Sequence, residues 1–195
     1  MMLPFKDRFR AFLGRMLSVT LGIVITFSVQ GVLDRQRDKR AVRSALELVR
    51  TELASNLDDI GVLSDYFRQE QVSARYLSDH QKDLAKCPAD SVSFHLGFVN
   101  ADVSVAFSHD ALELLKMSSL FPKIKDNDLS MKIIHAYDAC ELMVSDVNRH
   151  ILNRNTSPSG AVTWLIERPN DFTLFTDPTD VQEAVDAIDA FLNRR

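Results

Sequence analysis

Two clusters in this 195-residue chain have residue types and spacing that could do chemistry: His109-Asp110-x-x-Glu113 and His135-x-x-Asp138-x-x-Glu141. Imidazole and carboxylate one helical turn apart can hold a divalent metal, and carboxylate-rich bundles use a Glu-x-x-His pairing of this kind. The second cluster, however, steps around its helix away from Ile133, Tyr137 and Cys140, so it reads as a solvated polar face. The other three histidines, His80, His95 and His150, join no better cluster. Serines are plentiful, yet there is neither a G-x-S-x-G elbow nor a glycine-rich phosphate loop. Cys87 and Cys140 lack ligand spacing; they could form one disulfide, but Cys140 sits on an apolar stripe, which favours a buried thiol. No catalytic, cofactor-binding or metal-binding residue is assigned, and neither a cofactor nor catalysis is expected.

The elements that would carry these residues read as mainly helical. From Asp34 to about residue 80 there is no proline, and Val42, Leu46, Val49, Leu53, Leu57, Ile60, Leu63 and Phe67 recur at spacings of three and four. That is one face of a long amphipathic helix, with Arg43, Glu47, Arg50 and Asp58 opposite. Val72, Ala74, Tyr76 and Leu77 continue it or begin a second helix after a bend, and Lys86-Cys87-Pro88 closes the helical stretch. Val92, Phe94, Leu96 and Phe98, then Ala101, Val103, Val105 and Phe107, alternate with smaller or polar residues. This period of two predicts a short β-hairpin or extended segments near 92–107.

Ser108 is a natural N-cap for a helix through Leu112, Leu115 and Met117, broken by Pro122. Asn127 or Asp128 caps the next, whose stripe is Leu129, Ile133, Tyr137, Cys140, Val144, Val147 and Ile151. Residues 153–160 read as a polar linker and 161–176 as irregular, with Trp164 and Phe172 assigned to core packing over a partner surface. Asp177-Pro178 opens a last helix through Val181, Val185, Ile188 and Leu192.

Ahead of all this, residues 16–33, MLSVTLGIVITFSVQGVL, carry no charge between Arg15 and Asp34. At 1.5 Å per residue such a run makes a helix about 27 Å long, close to the roughly 30 Å hydrocarbon core of a bilayer. The expected organisation is a basic tail at 1–15, a transmembrane helix at 16–33 and a soluble helix-rich domain at 34–195. Gly14, Ser18, Gly22, Thr26 and Gln30 recur every fourth residue, a small or polar stripe of the kind that lets two membrane helices approach closely. Its expected role is self-association or pairing with another membrane protein. Lys6, Arg8, Arg10 and Arg15 also resemble the basic start of a signal peptide, although no A-x-A cleavage pattern follows.

Charge is unevenly divided. Residues 1–50 hold ten Lys or Arg against four Asp or Glu, a net of +6 in a chain whose total is −4, so residues 51–195 carry −10. An acidic domain argues against nucleic acid as a partner, and basic residues beside a membrane helix suit anionic lipid head groups. Basic residues flank the run on both sides, so the side of the membrane that holds the C-terminal domain is undetermined.

Residues 17–39, LSVTLGIVITFSVQGVLDRQRDK, with 43–60, RSALELVRTELASNLDDI, and 109–138, HDALELLKMSSLFPKIKDNDLSMKIIHAYD, resemble a family of small single-pass bacterial membrane proteins classed as a domain of unknown function. The resemblance spans under half the chain, and the run here is more polar than the family's, with Thr26 and Gln30 inside it. It implies the bacterial cytoplasmic (inner) membrane, an anchor and a helical domain, and brings no activity, cofactor or catalytic residue. The leading expectation is thus a single-pass, membrane-anchored protein with a helical interaction or sensory domain. Two alternatives stay open: a membrane-tethered metal-dependent enzyme on the His109 and His135 clusters, and an exported soluble protein whose first 30 or so residues are removed.

Overall fold

The computed structural model describes residues 34–157, 159–168 and 176–194 with their surroundings, and the helical backbone alone of residues 5–33. The expected membrane helix at 16–33 and the stripe Gly14, Ser18, Gly22, Thr26 and Gln30 fall outside the fully described residues, as does Phe172. The described chain is mainly α: α1 (Phe5–Asp79), α2 (Ala89–Val99), α3 (Asp110–Met117), α4 (Asn127–Thr156), α5 (Ala161–Glu167) and α6 (Thr179–Leu192), with short 3-10 turns at Leu84–Lys86 and Phe121–Lys123. Met1–Ser44 and Ala45–Arg195 are two compact units. In the first, the side chains of Arg35, Arg37, Lys39, Arg40 and Arg43 are exposed.

In the second unit the predicted α1 stripe is buried at Leu46, Val49, Leu53, Ile60, Leu63 and Phe67. One position differs: Leu57 is only half-buried, and Asn56 takes its place in the core. The buried line therefore runs 53, 56, 60, 63, 67, 70, 74, 77, mixing steps of three and four as a 3.6-residue period requires. No second helix begins at residues 72–77, since Ala74 and Leu77 extend the same helix and the same buried face.

The expected β-hairpin is absent: among the described residues there is no strand. Residues 89–99 are instead α2, which begins directly after Pro88, a residue that presets helical φ and needs no N–H partner. A period-two pattern wound into a helix puts apolar groups on every side, and α2 accordingly leaves Phe94 and Leu96 exposed. Residues 101–107 do keep the alternation. Ala101, Val103, Val105 and Phe107 are half-buried while Asp102, Ser104 and Ala106 face solvent. Without an adjacent strand, Val103 and Val105 pack on the cluster of Leu63, Phe67 and Val147 instead.

The helix predicted from Ser108 starts at Asp110, with His109 in the cap position. It ends before Pro122 can act, because Ser119 adopts a left-handed φ of 55° just beyond Ser118. Asp126, one residue ahead of the predicted caps, accepts a hydrogen bond from Leu129 N at 3.1 Å and so caps α4. That bond, followed by the nearby Arg194 guanidinium, holds the Asp126 carboxyl below the usual range despite partial desolvation.

α4 is longer than the pattern suggested and persists through residues 153–156. Its buried line drifts from Val144 and Ile151 to Met143, Val147, His150 and Arg154. Residues 161–167, expected to be irregular, form α5, entered through Gly160 at φ 82°, a conformation that side-chain-bearing residues rarely adopt. Trp164 and Leu165 of α5 join Ala74, Leu77 and Val99 in one apolar cluster. α6 is the predicted last helix; it buries Val181, Val185 and Ile188 of the expected stripe together with Ala184, leaves Leu192 half-buried, and packs along α4. Arg50 of α1 reaches α6 with a two-pronged pair to Asp189 at 2.9 and 3.1 Å.

Candidate functional site

The most distinctive polar chemistry lies inside the fold. Glu70 on α1 is fully buried and uses both carboxylate oxygens. One meets His150 Nε2 at 2.9 Å, and the other accepts from Arg154 Nη1. His150 and Arg154 are one turn apart on α4 and are themselves 4% and 1% exposed. Arg154 also donates Nη2 to the Ala101 carbonyl at 2.8 Å and Nε to Asn155 Oδ1 at 3.1 Å. The imidazole is walled by aromatic edges, with the Phe67 and Trp164 rings each 4.9 Å away and nearly perpendicular. Burial and the negative charge of Glu70 push the neighbouring Tyr66 hydroxyl above its ordinary value; that hydroxyl donates to the Phe98 carbonyl at 3.0 Å.

This network ties α1 to α4 and to the segment after α2. Desolvating a carboxylate and a guanidinium costs several kcal/mol each, so they persist only with their hydrogen bonds met, as Glu70 and Arg154 have them. The cluster has the composition of a catalytic constellation but is closed by its own side chains. With both carboxylate oxygens engaged, it positions elements.

A second polar centre forms where α1 meets the start of α3. Glu52 accepts from the Tyr137 hydroxyl at 2.6 Å, the Ser108 hydroxyl at 2.7 Å and the Ala111 N–H at 3.0 and 3.1 Å. One turn on, Asn56 exchanges two hydrogen bonds with the Ser108 backbone, at 2.9 and 3.1 Å. His109 provides no side-chain cap, so Glu52, reaching across from another helix, serves as the cap of α3. Burial pushes the Glu52 carboxyl up, but the Tyr137 and Ser108 hydroxyls and the Ala111 and Asp110 N–H groups outweigh it and leave it below the ordinary value. Burial and Glu52 together push the Tyr137 hydroxyl far above its own. A carboxylate held ionised by these four donors is a poor proton acceptor, and a phenol held so firmly protonated is a poor acid.

Above this centre an open cleft of about 430 Å³ runs between α1 and α3, walled by Leu48, Thr51 and Ser55 on one side and Asp110, Ala111 and Leu114 on the other. Glu52 and Ser108 complete its lining.

Of the clusters singled out in the sequence, only Asp110 borders this cleft. His135, Asp138 and Glu141 are exposed along α4, and His109, Asp110 and Glu113 are exposed at the start of α3. Among the described residues no group of three His, Cys, Asp or Glu side chains is arranged to hold a metal ion. Both cysteines are free thiols, Cys140 buried and Cys87 half-buried. Trp164 belongs to the core. Sequence reasoning missed Glu70, His150, Arg154, Glu52 and Asn56. The signal was present for most of them, because Asn56 and Glu70 fall on the apolar line of α1, and His150 and Arg154 continue that of α4. A polar residue at a core position of an otherwise regular stripe marks a buried network.

No protein-family model matches the chain, and neither a curated protein nor a solved structure is significantly similar to it.

Proposed function

We propose that this is a single-pass protein of the bacterial cytoplasmic membrane whose helical domain serves as an interaction or sensory module without catalysis of its own. The carrying observation is the charge-free run 16–33 with basic residues on both flanks, long enough to cross the hydrocarbon core. The likeness of residues 17–39, 43–60 and 109–138 to small single-pass bacterial proteins supports the same reading. So does the character of the two polar centres, whose carboxylates are occupied in holding helices together. Among the described residues no helix is long and apolar enough to cross a membrane, so the anchor rests on residues 16–33 alone. The partners are the lipid bilayer and, through the stripe Gly14, Ser18, Gly22, Thr26 and Gln30, a second copy or another membrane protein; nucleic acid is not among them.

Protease accessibility tests the arrangement. Cells carrying the chain with a C-terminal tag are permeabilised at the outer layer and treated with protease. A tag that fractionates with membranes supports the proposal, with digestion placing the domain outside the cytoplasm and protection placing it inside. A tag found only in the soluble fraction contradicts it.

A further inference from the structure

One stretch of α1 concentrates positive charge that no acid of the fold balances. Between Asp34 and Arg43 stand five cations, Arg35, Arg37, Lys39, Arg40 and Arg43, against two carboxylates, Asp34 and Asp38. All five cations are exposed. At about 100° per residue they fan over an arc of about 200°, while both carboxylates and the buried Val42 fall in the remainder. In the second unit Arg50, Arg68, Lys86, Lys132, Arg149 and Arg194 each meet a carboxylate at the surface. Among the described residues, Arg35, Arg37, Lys39 and Arg40 meet none. Position adds a second argument. α1 runs without interruption from Phe5 to Asp79, so this basic stretch continues the helix that contains the charge-free run 16–33. At 1.5 Å per residue, Arg35 to Arg40 lie about 3–10 Å beyond Leu33. A head-group layer is about 5–7 Å deep on each side of the hydrocarbon, and its charge is felt for about 8–10 Å beyond that in physiological salt.

We infer that Arg35, Arg37, Lys39 and Arg40 form a collar that binds anionic phospholipid head groups, of the phosphatidylglycerol type, around the helix where it leaves the bilayer. This rests on the reading of residues 16–33 as an anchor and adds the lipid class that the anchor's neighbours select. Three of the four are arginines, whose guanidinium forks take a phosphodiester with two parallel hydrogen bonds. Residues 51–195 carry −10, the sign of the lipid itself, so the contact is not theirs. A wide basic arc with its acids set to one side lets several head groups be held at once, and that attraction weakens as salt rises.

The test uses the full chain reconstituted in phosphatidylcholine vesicles and recovered by flotation. Trace phosphatidylglycerol or phosphatidylcholine, each spin-labelled deep on one acyl chain, is added, and electron spin resonance reads the fraction immobilised against the protein. One cation at a membrane surface is worth about fivefold, so phosphatidylglycerol is expected to be preferred at least about threefold when averaged around the helix. Salt at about 1 M is expected to abolish the preference. The quadruple variant Arg35→Gln, Arg37→Gln, Lys39→Gln, Arg40→Gln is expected to at least halve it, whereas Arg35→Lys, Arg37→Lys, Arg40→Lys retains it. A control quadruple, Arg75→Gln, Lys82→Gln, Lys116→Gln, Lys125→Gln, removes the same charge from exposed sites of the second unit and is expected to leave it unchanged. Every altered residue is exposed and Gln is a good helix former, so folding is preserved, and circular dichroism verifies it. Equal immobilisation of the two lipids at low salt, an undiminished preference in the collar variant, or the same loss in both quadruple variants overturns the inference. A chain that does not float with phosphatidylcholine vesicles defeats the anchor reading alone. The collar is then read by flotation with phosphatidylglycerol vesicles, where wild type is expected to float and the collar variant to stay below; wild type left below overturns the inference as well.

Discussion

Replacing Glu70 by Gln keeps the shape of the side chain and removes its charge. Arg154, 1% exposed, then remains in the core without a counter-charge, and the His150 imidazole loses the carboxylate oxygen at 2.9 Å. Breaking a buried ion pair from one side costs about 3–5 kcal/mol. For a domain of this size each kcal/mol moves the melting temperature by roughly 2–4 °C, so Glu70→Gln is expected to lower it by roughly 6–20 °C. Arg154→Met is expected to cost a similar amount, since it strands the carboxylate and frees the Ala101 carbonyl from its 2.8 Å bond. The double variant Glu70→Leu with Arg154→Met removes both charges and fills the space with apolar groups. It is therefore expected to cost less than either single change, with a coupling of at least about 2 kcal/mol. The assay is urea unfolding followed by the fluorescence of Trp164, the one tryptophan, whose ring lies 4.9 Å from His150. Additive effects, or a cost for Glu70→Gln below about 1 kcal/mol, would refute the claim that these charges are desolvated and mutually dependent.

Further outcomes follow from the same physics. Glu52 has its pKa depressed in the fold, so the stability it contributes is present above the unfolded value near 4.3 and is lost as pH falls through the folded value. Urea midpoints should show wild type ahead of Glu52→Gln at pH 7, with the gap narrowing below about pH 4. Burial raises the Cys140 thiol to about 11, so a maleimide should label Cys87 alone in the native chain and both thiols in denaturant. Ser119 sits at φ 55°, where a side chain is strained, and Ser119→Gly is expected to raise stability by about 0.5–1 kcal/mol by thermal unfolding.

How much of this was legible in the residues varied by element. The stripes of α1, α4 and α6 could be read because each repeats over several turns, and a long period fixes both the element and its buried face. Residues 92–98 misled because seven residues of alternation fit a strand or an apolar-all-round helix equally well. What decides between them is a neighbouring strand to pair with, and that is a property of the whole fold. α5 was hidden for a similar reason, since seven residues carry too little periodicity and Gly160 reads as loop until its φ is known. The buried networks were partly visible. Glu70, His150 and Arg154 lie on apolar stripes, but only the packing of α1 against α4 shows that the three converge. The cleft could not be foreseen, because Leu48 and Leu114 are 66 residues apart in the chain.

The central claim is that residues 16–33 hold this chain in a membrane. Its most direct test is the intact mass of the chain recovered from membranes washed with high salt and alkaline carbonate. The account predicts an unshortened 22.1 kDa product that stays in the pellet. A soluble product lacking roughly the first 30 residues would contradict it and identify an exported protein instead.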